Sequence, residues 1–429
     1  MTETTLLLNG RFHTGDPGSA DLQSLAIENG TIAAIGPTEE ITSSHLHPIK
    51  TVDLQGQTVW PGLTDSHLHL SLLADRLSAV DCETESLEEC LSRVKTASQA
   101  KPDRSWIIGY GWNHNAWHPP LCGTASQLDR VADARPVVLH AKSLHASWVN
   151  TAALKLANIT SVTPDPPGGI ILRDLQGNPT GILLENAMEL VDKLIPTWQV
   201  AQLSAMLLSA QSHLLSLGVT GVNDFDHSPC FEALQALEKS DQLILRVRKN
   251  FHSEMMAEIA AAGLRSNEGS AHLFTGSFKC FADGALGPQS AAMLEPYQGS
   301  NSRGMLLMNA EAVFEVGQRA AELGWPLAIH AIGDAANRAV LDGYQQLRAY
   351  ETANHLPHLK HRIEHVQIIQ PADQARLKDL AVIASMQPIH ATSDMYTADR
   401  CWGSRSAHAY AFQALEQQGV CLIFGSDAP

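Results

Sequence analysis

The sequence predicts an α/β protein built around a closed (β/α)₈ barrel of the TIM type. Its 429 residues suit one such barrel with attachments, since single barrels occupy about 250 residues or more. From about residue 200 onward, helical segments alternate with short apolar runs, which indicates parallel βαβ units. Several runs end in a histidine, lysine or aspartate. An open doubly wound sheet shows the same alternation, but polar residues at strand ends favour the barrel, whose active sites lie there.

Residues 4–60 predict a small β-sheet unit that precedes the barrel. Short apolar segments, each punctuated by an NG or QG turn signal, occur as TTLLLNGRF, SLAIENGTIAAIG and KTVDLQGQTVW. We therefore assign residues 1–58 to this unit and residues 59–429 to the barrel.

A long mixed region, about residues 71–212, follows the first barrel strand. Helical periodicity is present in SLEECLSRVKTASQA, and the stretch TPDPPGGIILRDLQGNPTG predicts a loop or hairpin because it is rich in proline and glycine. We interpret the region as an insertion into the barrel.

Eight apolar runs are candidate barrel strands. The first is TVWPGLTDSHLHL. The other seven each follow a helical segment, and they read VTGVNDFD, LILRVRKNFH, LFTGSFKCFADG, PLAIHAIGD, HRIEHVQ, AVIASMQPIHA and VCLIFGSDAP. Eight such units match the (β/α)₈ count.

Charge and cysteine content narrow the class of partner. With 29 Lys and Arg against 45 Asp and Glu, the net charge is −16, which argues against nucleic acid or an anionic membrane surface. Seven scattered cysteines without a CxxC pair predict reduced thiols. The start MTETTLLLNGRF has no basic region typical of a signal peptide. We expect a soluble, cytoplasmic protein with a small-molecule substrate, and a homodimer is the candidate assembly.

The pair His67 and His69 in DSHLHL is the first candidate metal site. Side chains alternate along a strand, so both imidazoles face the same side and one ion can take both. Imidazole and carboxylate ligands suit zinc and related divalent ions. Such an ion lowers the pKa of a bound water to about 7, and a nearby carboxylate such as Asp427 could take and return its proton.

Other strand ends carry further candidates: Lys279 on the fourth strand, His330 on the fifth, His365 on the sixth and Asp427 on the eighth. Each has a simpler alternative when taken alone. A single histidine is more often a hydrogen-bonded core residue, and the aspartate of GSDAP could cap a helix or stabilise a turn. Their joint position at the strand ends favours a shared site.

These residues resemble a known family. PGLTDSHLHL, one histidine in each of two later strands, and GSDAP resemble the amidohydrolase superfamily of metal-dependent hydrolases. The resemblance is stronger to its YtcJ-like branch, the amidohydrolase-3 group that includes N-substituted formamide deformylase. Stretches that look like this branch cover essentially the whole chain: SWIIGYGWNHNAW, RPVVLHAKSLHASWVNTAAL, GNPTGILLENA, GVTGVNDFD, FKCFADGALG, IHAIGDAANRAVLD and HRIEHVQ.

The resemblance implies one or two divalent ions, most often zinc. By this likeness His67 and His69 bind the more buried ion, His330 and His365 bind the second, and Asp427 binds the first ion and carries the proton. Lys279 matches a position where many relatives have a carboxylated lysine that bridges two metals. An unmodified ammonium has no acceptor, so this role requires a carbamate, and a salt-bridged lysine is the alternative.

The resemblance also implies the reaction and the outer architecture. We expect hydrolysis of non-peptide amide-type C–N bonds, with an inactive or truncated metal-binding member, or a deaminase, as alternatives. Residues 1–58 would form the N-terminal part of a β-sandwich built from both chain ends. Relatives continue beyond the strand-eight aspartate, so we expect the C-terminal part to be missing. Trp112, His114 and His145 are candidates for the substrate pocket, with plain packing as the alternative for the aromatic cluster.

Overall fold

The computed structural model describes residues 4–15, 23–44, 50–100, 105–143 and 145–429. The chain divides into two compact units. The first consists of Met1–Thr64 with Gly218–Thr220, and the second of Asp65–Leu217 with Gly221–Pro429. The domain boundary expected at residues 58 and 59 stays a prediction.

The first unit is a small β-sheet unit, as predicted. Its elements are β1 (Thr4–Leu8), β2 (Arg11–Phe12), β3 (Ser24–Glu28), β4 (Thr31–Gly36), α1 (Thr38–Ser44), β5 (Lys50–Asp53) and β6 (Thr58–Val59). Four strands form a sheet in the order β4-β3-β1-β5, and β2 pairs with β6 separately. Leu6, Ala26 and Ile41 form its buried core. The β-sandwich stays a prediction.

The first barrel strand is β7 (Leu63–Leu68), and the predicted insertion follows it. Its elements are α2 (Leu70–Ser78), β8 (Val80–Asp81), α3 (Leu87–Ala100), β9 (Ile107–Trp112), α4 (Ala125–Asp129), β10 (Val137–Ala141), β11 (Ala146–Val149), α5 (Thr151–Leu156), β12 (Gly169–Arg173), β13 (Pro179–Glu185) and α6 (Glu189–Asp192). The strands form a sheet in the order β12-β13-β11-β10-β9-β8. The helix predicted in SLEECLSRVKTASQA is α3, and the segment rich in proline and glycine forms the antiparallel hairpin of β12 and β13.

The remaining elements complete the barrel. They are α7 (Val200–Ser216), β14 (Val219–Asp224), α8 (Ser228–Lys239), β15 (Arg246–His252), α9 (Met256–Ala261), β16 (Leu273–Phe281), α10 (Ala310–Glu322), β17 (Leu327–Ala331), α11 (Asp334–Ala353), β18 (Arg362–His365), α12 (Pro371–Asp379), β19 (Ile383–Met386), α13 (Pro388–Trp402), α14 (Phe412–Gln417) and β20 (Leu422–Phe424). Short 3₁₀ helices span Ser253–Met255 and Gly403–His408.

Eight strands form one sheet in the order β7-β14-β15-β16-β17-β18-β19-β20, and the pairs from β14 to β20 are parallel. The eight predicted strands are thereby confirmed. Two backbone hydrogen bonds join the edges: the Asp427 N–H donates to the His67 carbonyl at 2.8 Å, and the His69 N–H donates to the Ala428 carbonyl at 2.9 Å. The barrel is therefore nearly closed at the carboxyl ends of its strands.

The main core lies between the strands and the outer helices. On α10, Val313, Gly317 and Ala320 are buried at helical spacing, which is the pattern of a helix with one apolar face. A Cβ on Gly317 would lie 2.6 Å from Leu347 Cδ2, so glycine permits the close approach of α10 and α11. All seven cysteines are free thiols. Among the described residues, no helix is long and apolar enough to cross a membrane.

Candidate metal centre

His67 and His69 lie at the carboxyl end of β7 and face one oxygen of Asp427. His67 Nε2 is 3.5 Å from Asp427 Oδ1, and His69 Nε2 is 3.6 Å from the same oxygen. In a tetrahedral zinc site with bonds of about 2.0–2.1 Å, neighbouring donor atoms lie about 3.4 Å apart. The three donor atoms therefore fit one ion, and the structure brings these three sequence-predicted residues together.

The second nitrogen of each imidazole is held by a buried carboxylate. His67 Nδ1 is 2.6 Å from Glu364 Oε2, and His69 Nδ1 is 3.2 Å from Asp226 Oδ1. Since an ionised carboxylate only accepts, both Nδ1 atoms are donors. This leaves Nε2 of both rings directed at Asp427. Metal-ligating histidines are commonly oriented in this way by a carboxylate behind them, so the donor set fits a divalent ion.

Charges around the site support this assignment of protons. Burial raises the pKa of Glu364, but Arg362 and His67 outweigh that effect and hold the pKa well below its ordinary value. Burial and the charge of Lys279 lower the pKa of His67, so its ring is neutral. Burial also raises the pKa of Asp427, yet its neighbouring histidines lower it more, and Asp427 is a carboxylate.

His69 differs from His67 in its ionisation. Burial lowers its pKa, but its hydrogen bonds to Asp226 and Asp427 more than compensate and raise it to about 9. A metal ion and the second ring proton of His69 therefore compete for its Nε2 atom.

Two further imidazoles lie beside the other oxygen of Asp427, His390 through Nε2 and His365 through Nδ1, which is 3.9 Å from Oδ2. His365 and His390 join Asp427 in a cluster whose ligand atoms lie within 4.8 Å of one another. His390 Nε2 is 3.5 Å from Asp427 Oδ2. His330 lies close by, with its ring centroid 4.5 Å from that of His365, but its Nε2 is 3.0 Å from the Gly284 carbonyl, to which it donates.

Lys279 is buried beside the histidines. Its ammonium lies 4.9 Å from the ring centroid of Phe225 and 5.0 Å from that of Phe281. Burial lowers its pKa to about 8, which makes the neutral amine more accessible than in an exposed lysine. A carbamate forms from the neutral amine, but carboxylation of Lys279 stays a prediction.

Three residues of the site adopt left-handed backbone conformations. The φ angles are 76° at His365, 44° at Val366 and 59° at Asp427. Each such conformation costs about 1–3 kcal/mol in a residue other than glycine and persists only where the surrounding structure imposes it. In a regular strand, Glu364 and His365 would point to opposite faces. The positive φ angles at the end of β18 allow both side chains to serve the same site.

The candidate ligands line a cavity of about 330 Å³. Its lining residues are His67, His69, Lys279, Phe281, Ala285, Leu286, Gly287, His330, Ile332, His365, Gln367, His390, Asp394 and Asp427. Phe281, Leu286 and Ile332 give it an apolar wall beside the polar donors. A mostly apolar cavity with a few convergent polar groups is the usual form of a small-molecule site.

The structure does not bring Trp112, His114 or His145 to this cavity. Trp112 is packed in the core of the insertion, where its Nε1–H donates to the Leu139 carbonyl at 2.7 Å. With His114 it lines a separate cavity of about 380 Å³. The His145 side chain is 71% exposed and lies 3.0 Å from Glu185. Contact of these three residues with substrate stays a prediction.

Sequence reasoning missed Asp226, Glu364, Gln387 and His390. Asp226 and His390 follow the strands β14 and β19, so the strand-end rule, applied to every strand, selects them too. Gln387 orients His365 by accepting its Nδ1–H at 2.8 Å. Glu364 lies one residue before His365, and no local signal separates it from an ordinary buried ion-pair partner.

The chain is similar in sequence to several known proteins. Residues 50–429 match the model of the Amidohydrolase family. LONG AFTER FAR-RED 3 of Arabidopsis thaliana is 32% identical over 440 residues, which cover 99% of this chain and 75% of that protein. YtcJ of Bacillus subtilis is 30% identical over 415 residues, which cover 95% of this chain and 77% of that protein. N-substituted formamide deformylase of Arthrobacter pascens is 28% identical over 443 residues, which cover 99% of this chain and 80% of that protein.

Two solved structures share the fold over nearly the whole chain. An uncharacterized metal-dependent hydrolase from Pyrococcus furiosus superposes with a TM-score of 0.82 at 30% identity, covering 99% of this chain and 86% of that chain. An uncharacterized metal-dependent hydrolase from Pyrococcus horikoshii superposes with a TM-score of 0.80 at 29% identity, covering 100% of this chain and 83% of that chain.

Proposed function

The chain belongs to the Amidohydrolase family, in its YtcJ-like branch, and from this premise we propose that it hydrolyses non-peptide amide-type C–N bonds of a small molecule with a divalent metal. The observation that carries the proposal is the convergence of His67, His69 and Asp427 at distances that fit one ion. Each of the two imidazoles is fixed by a carboxylate behind it.

The residues divide between holding the ion and moving a proton. His67, His69 and Asp427 would hold one divalent ion, with zinc the expected metal, and Lys279, His330 and His365, which line the same cavity, would serve a second. When bound, such an ion supplies Lewis-acid polarisation of a carbonyl and lowers the pKa of water.

Asp427 is the candidate proton carrier. It is ionised, because its histidine neighbours hold its pKa low, and it faces the cavity. It would accept a proton from water as the new C–O bond forms, and it would deliver that proton to nitrogen as the C–N bond breaks. The balance is one water and one amide consumed, and one acid and one amine released.

The cavity limits the substrate. Phe281, Leu286 and Ile332 offer an apolar wall, which suits an alkyl or aryl substituent on the amide. One relative is named for deformylation of N-substituted formamides. N-alkyl and N-aryl formamides are therefore the first substrates to test.

The decisive experiment combines metal content with turnover. Elemental mass spectrometry of the purified chain should find a divalent metal that is lost in the double variant His67→Ala, His69→Ala. Asp427→Asn should keep the circular dichroism spectrum while kcat on formamides falls by about 10²–10⁴-fold. Unchanged turnover in Asp427→Asn, or full activity after chelation, would overturn the proposal. Ammonia release from amino-substituted heterocycles without amide cleavage would instead identify a deaminase.

A further inference from the structure

We propose that Asp394 and Gln367 form a subsite for a cationic amine, so that the preferred substrates are amides whose nitrogen substituent ends in an ammonium group. The inference rests on the proposed function, since it names the substrate class of the same cavity. It gives a role to two cavity residues that neither hold the ion nor carry the proton.

Asp394 reaches the cavity from α13, one helical turn beyond His390. The two residues are four apart, so they share a face of the helix, and both line the cavity. His390 Nε2 lies 3.5 Å from Asp427 Oδ2, which places this face beside the candidate metal centre. Four residues of helix rise by about 6 Å. Asp394 belongs to none of the candidate ligand groups among the described residues, so it binds something other than the ion.

The carboxylate of Asp394 has unused capacity to accept hydrogen bonds. A carboxylate can accept about four of them. Asp394 accepts one from Gln367 Nε2 to Oδ2 at 3.0 Å and one from the Ser393 hydroxyl to Oδ1 at 3.1 Å. In the part of the chain that the structure describes, no Lys, Arg or His side chain forms an ion pair with it. Its negative charge is therefore available to a ligand in the cavity.

Gln367 fixes this carboxylate and supplies a second acceptor. Its side chain is buried, and its Nε2 donates to Asp394 and, at 2.8 Å, to the Tyr410 hydroxyl oxygen. Because a carboxylate only accepts, the amide nitrogen must be the atom that faces Asp394, which sets the orientation of the amide. Both of its N–H groups are thereby used, whereas Oε1 accepts no hydrogen bond from any described residue. Since Gln367 lines the cavity, Oε1 is left for a donor on the ligand.

An ammonium group fits these two acceptors better than a neutral or anionic group does. It has three donors and no acceptor, so it can bond to both Asp394 and Gln367 and neutralise the carboxylate. The apolar wall of Phe281, Leu286 and Ile332 suits the methylenes that would join the ammonium to the amide. The net charge of −16 also attracts cationic solutes to the chain.

The simpler alternative is that Asp394 and Gln367 only join α13 to the segment that follows β18. Loss of the Asp394 charge would then lower the free energy of unfolding without changing which substrates are preferred. The two interpretations therefore differ in substrate selectivity.

The test is a ratio of kcat/KM values measured with the full, metal-loaded chain. N-(4-aminobutyl)formamide, whose spacer is about as long as one helical turn, is compared with N-pentylformamide, in which a methyl group replaces the ammonium. Homologues with one methylene fewer and one more are compared in the same way. The variants are Asp394→Asn and, as the matched control, Asp399→Asn. Asp399 lies on the same helix, is exposed outside the cavity and accepts the Ser406 hydroxyl at 2.7 Å.

We expect the wild type and Asp399→Asn to prefer the ammonium substrate by about 10-fold or more at the best spacer length, because the amine would form charge-assisted hydrogen bonds. In Asp394→Asn the preference should fall to about 1, with the metal content and the circular dichroism spectrum unchanged. A preference that persists in Asp394→Asn, or its absence in the wild type, would overturn the inference and leave the proposed function standing. Loss of metal in Asp394→Asn would also overturn it, since Asp394 would then belong to the metal centre.

A binding measurement separates the subsite from the reaction. If the wild type hydrolyses no formamide, the proposed function fails, and calorimetry of 1,4-diaminobutane beside 1-pentanamine tests the subsite alone. Tighter binding of the diamine that is lost in Asp394→Asn would support the subsite. Equal binding of the two amines by the wild type, or a preference for the diamine that Asp394→Asn retains, would overturn it.

Discussion

The substitution Glu364→Gln tests the idea that buried carboxylates orient the metal ligands. Glu364 accepts the Nδ1–H of His67 at 2.6 Å and is fully buried. Glutamine keeps the shape and one acceptor oxygen but removes the charge. The hydrogen bond to His67 becomes a neutral one, roughly half as strong, and the ring loses basicity at the nitrogen that faces Asp427.

The size of the effect follows from this arrangement. Loss of an outer partner of a metal-ligating histidine lowers metal affinity by about 10–100-fold, or about 1.4–2.7 kcal/mol. The free energy of unfolding falls too, because Arg362 loses the Glu364 carboxylate as its buried counter-charge. Breaking a buried ion pair outright by removing one partner costs about 3–5 kcal/mol. The lower end applies here, since Arg362 keeps hydrogen bonds to the Ser66 carbonyl at 2.7 Å and to Ser385 Oγ at 2.8 Å.

The assay is a competitive titration of zinc against a chelator of known affinity. Glu351→Gln is the matched control, because Glu351 is equally buried and accepts hydrogen bonds from Arg348 at 2.6 Å and from His361 at 3.1 Å, outside the cavity. Both variants should be less stable in urea, and only Glu364→Gln should bind zinc more weakly. Equal zinc affinity in Glu364→Gln and the wild type would refute the reasoning.

Two further predictions concern other contacts. Asp226→Asn should weaken zinc binding by about 10-fold, because Asp226 orients His69. It should also lower the free energy of unfolding by about 0.5–2 kcal/mol, because Asp226 accepts a hydrogen bond from the Ser71 hydroxyl at 2.6 Å at the start of α2. Chelator competition measures the first effect and urea unfolding the second, and unchanged zinc affinity would contradict the role of Asp226. Burial lowers the pKa of His361 below its ordinary 6.5, so the unfolded chain binds an extra proton as pH falls through that value. The urea concentration at the unfolding midpoint should therefore decrease as the pH is lowered from about 7 to about 5, and it should decrease less steeply in His361→Gln. The same dependence of the midpoint on pH in the two proteins would rule out His361 as the cause.

The fold was largely predictable because helices and apolar runs alternate regularly after residue 200. The first strand was predicted too long: Thr58–Val59 pairs with β2, and the barrel strand starts only at Leu63. Pro61 lies between them and cannot donate to a strand ladder. Strands β10 and β11 of the insertion were not predicted, for a different reason. They are buried at every position, so they show none of the alternation that identifies a half-buried strand.

The candidate site was predictable only in part. Ligand types and strand ends are local features, and the residues that they selected are His67, His69, Lys279, His330, His365 and Asp427. The partners behind those ligands are set by tertiary structure: Glu364 lies 297 residues from His67, and Asp226 lies 157 residues from His69. Spacing along the chain carries no signal for such pairs.

Barrel closure and the candidate metal centre use the same short segments. The Asp427 N–H bonds to the backbone of His67, so the contact that joins β7 to the segment after β20 also sets the distance between two ligands. Gly425 permits that contact, since a Cβ there would lie 2.4 Å from the His67 nitrogen. Asp427 itself is held at a φ of 59°, a conformation that costs free energy in the absence of compensating contacts. An ion shared by His67, His69 and Asp427 would supply such a contact across the barrel's last seam, so metal binding and closure should stabilise each other.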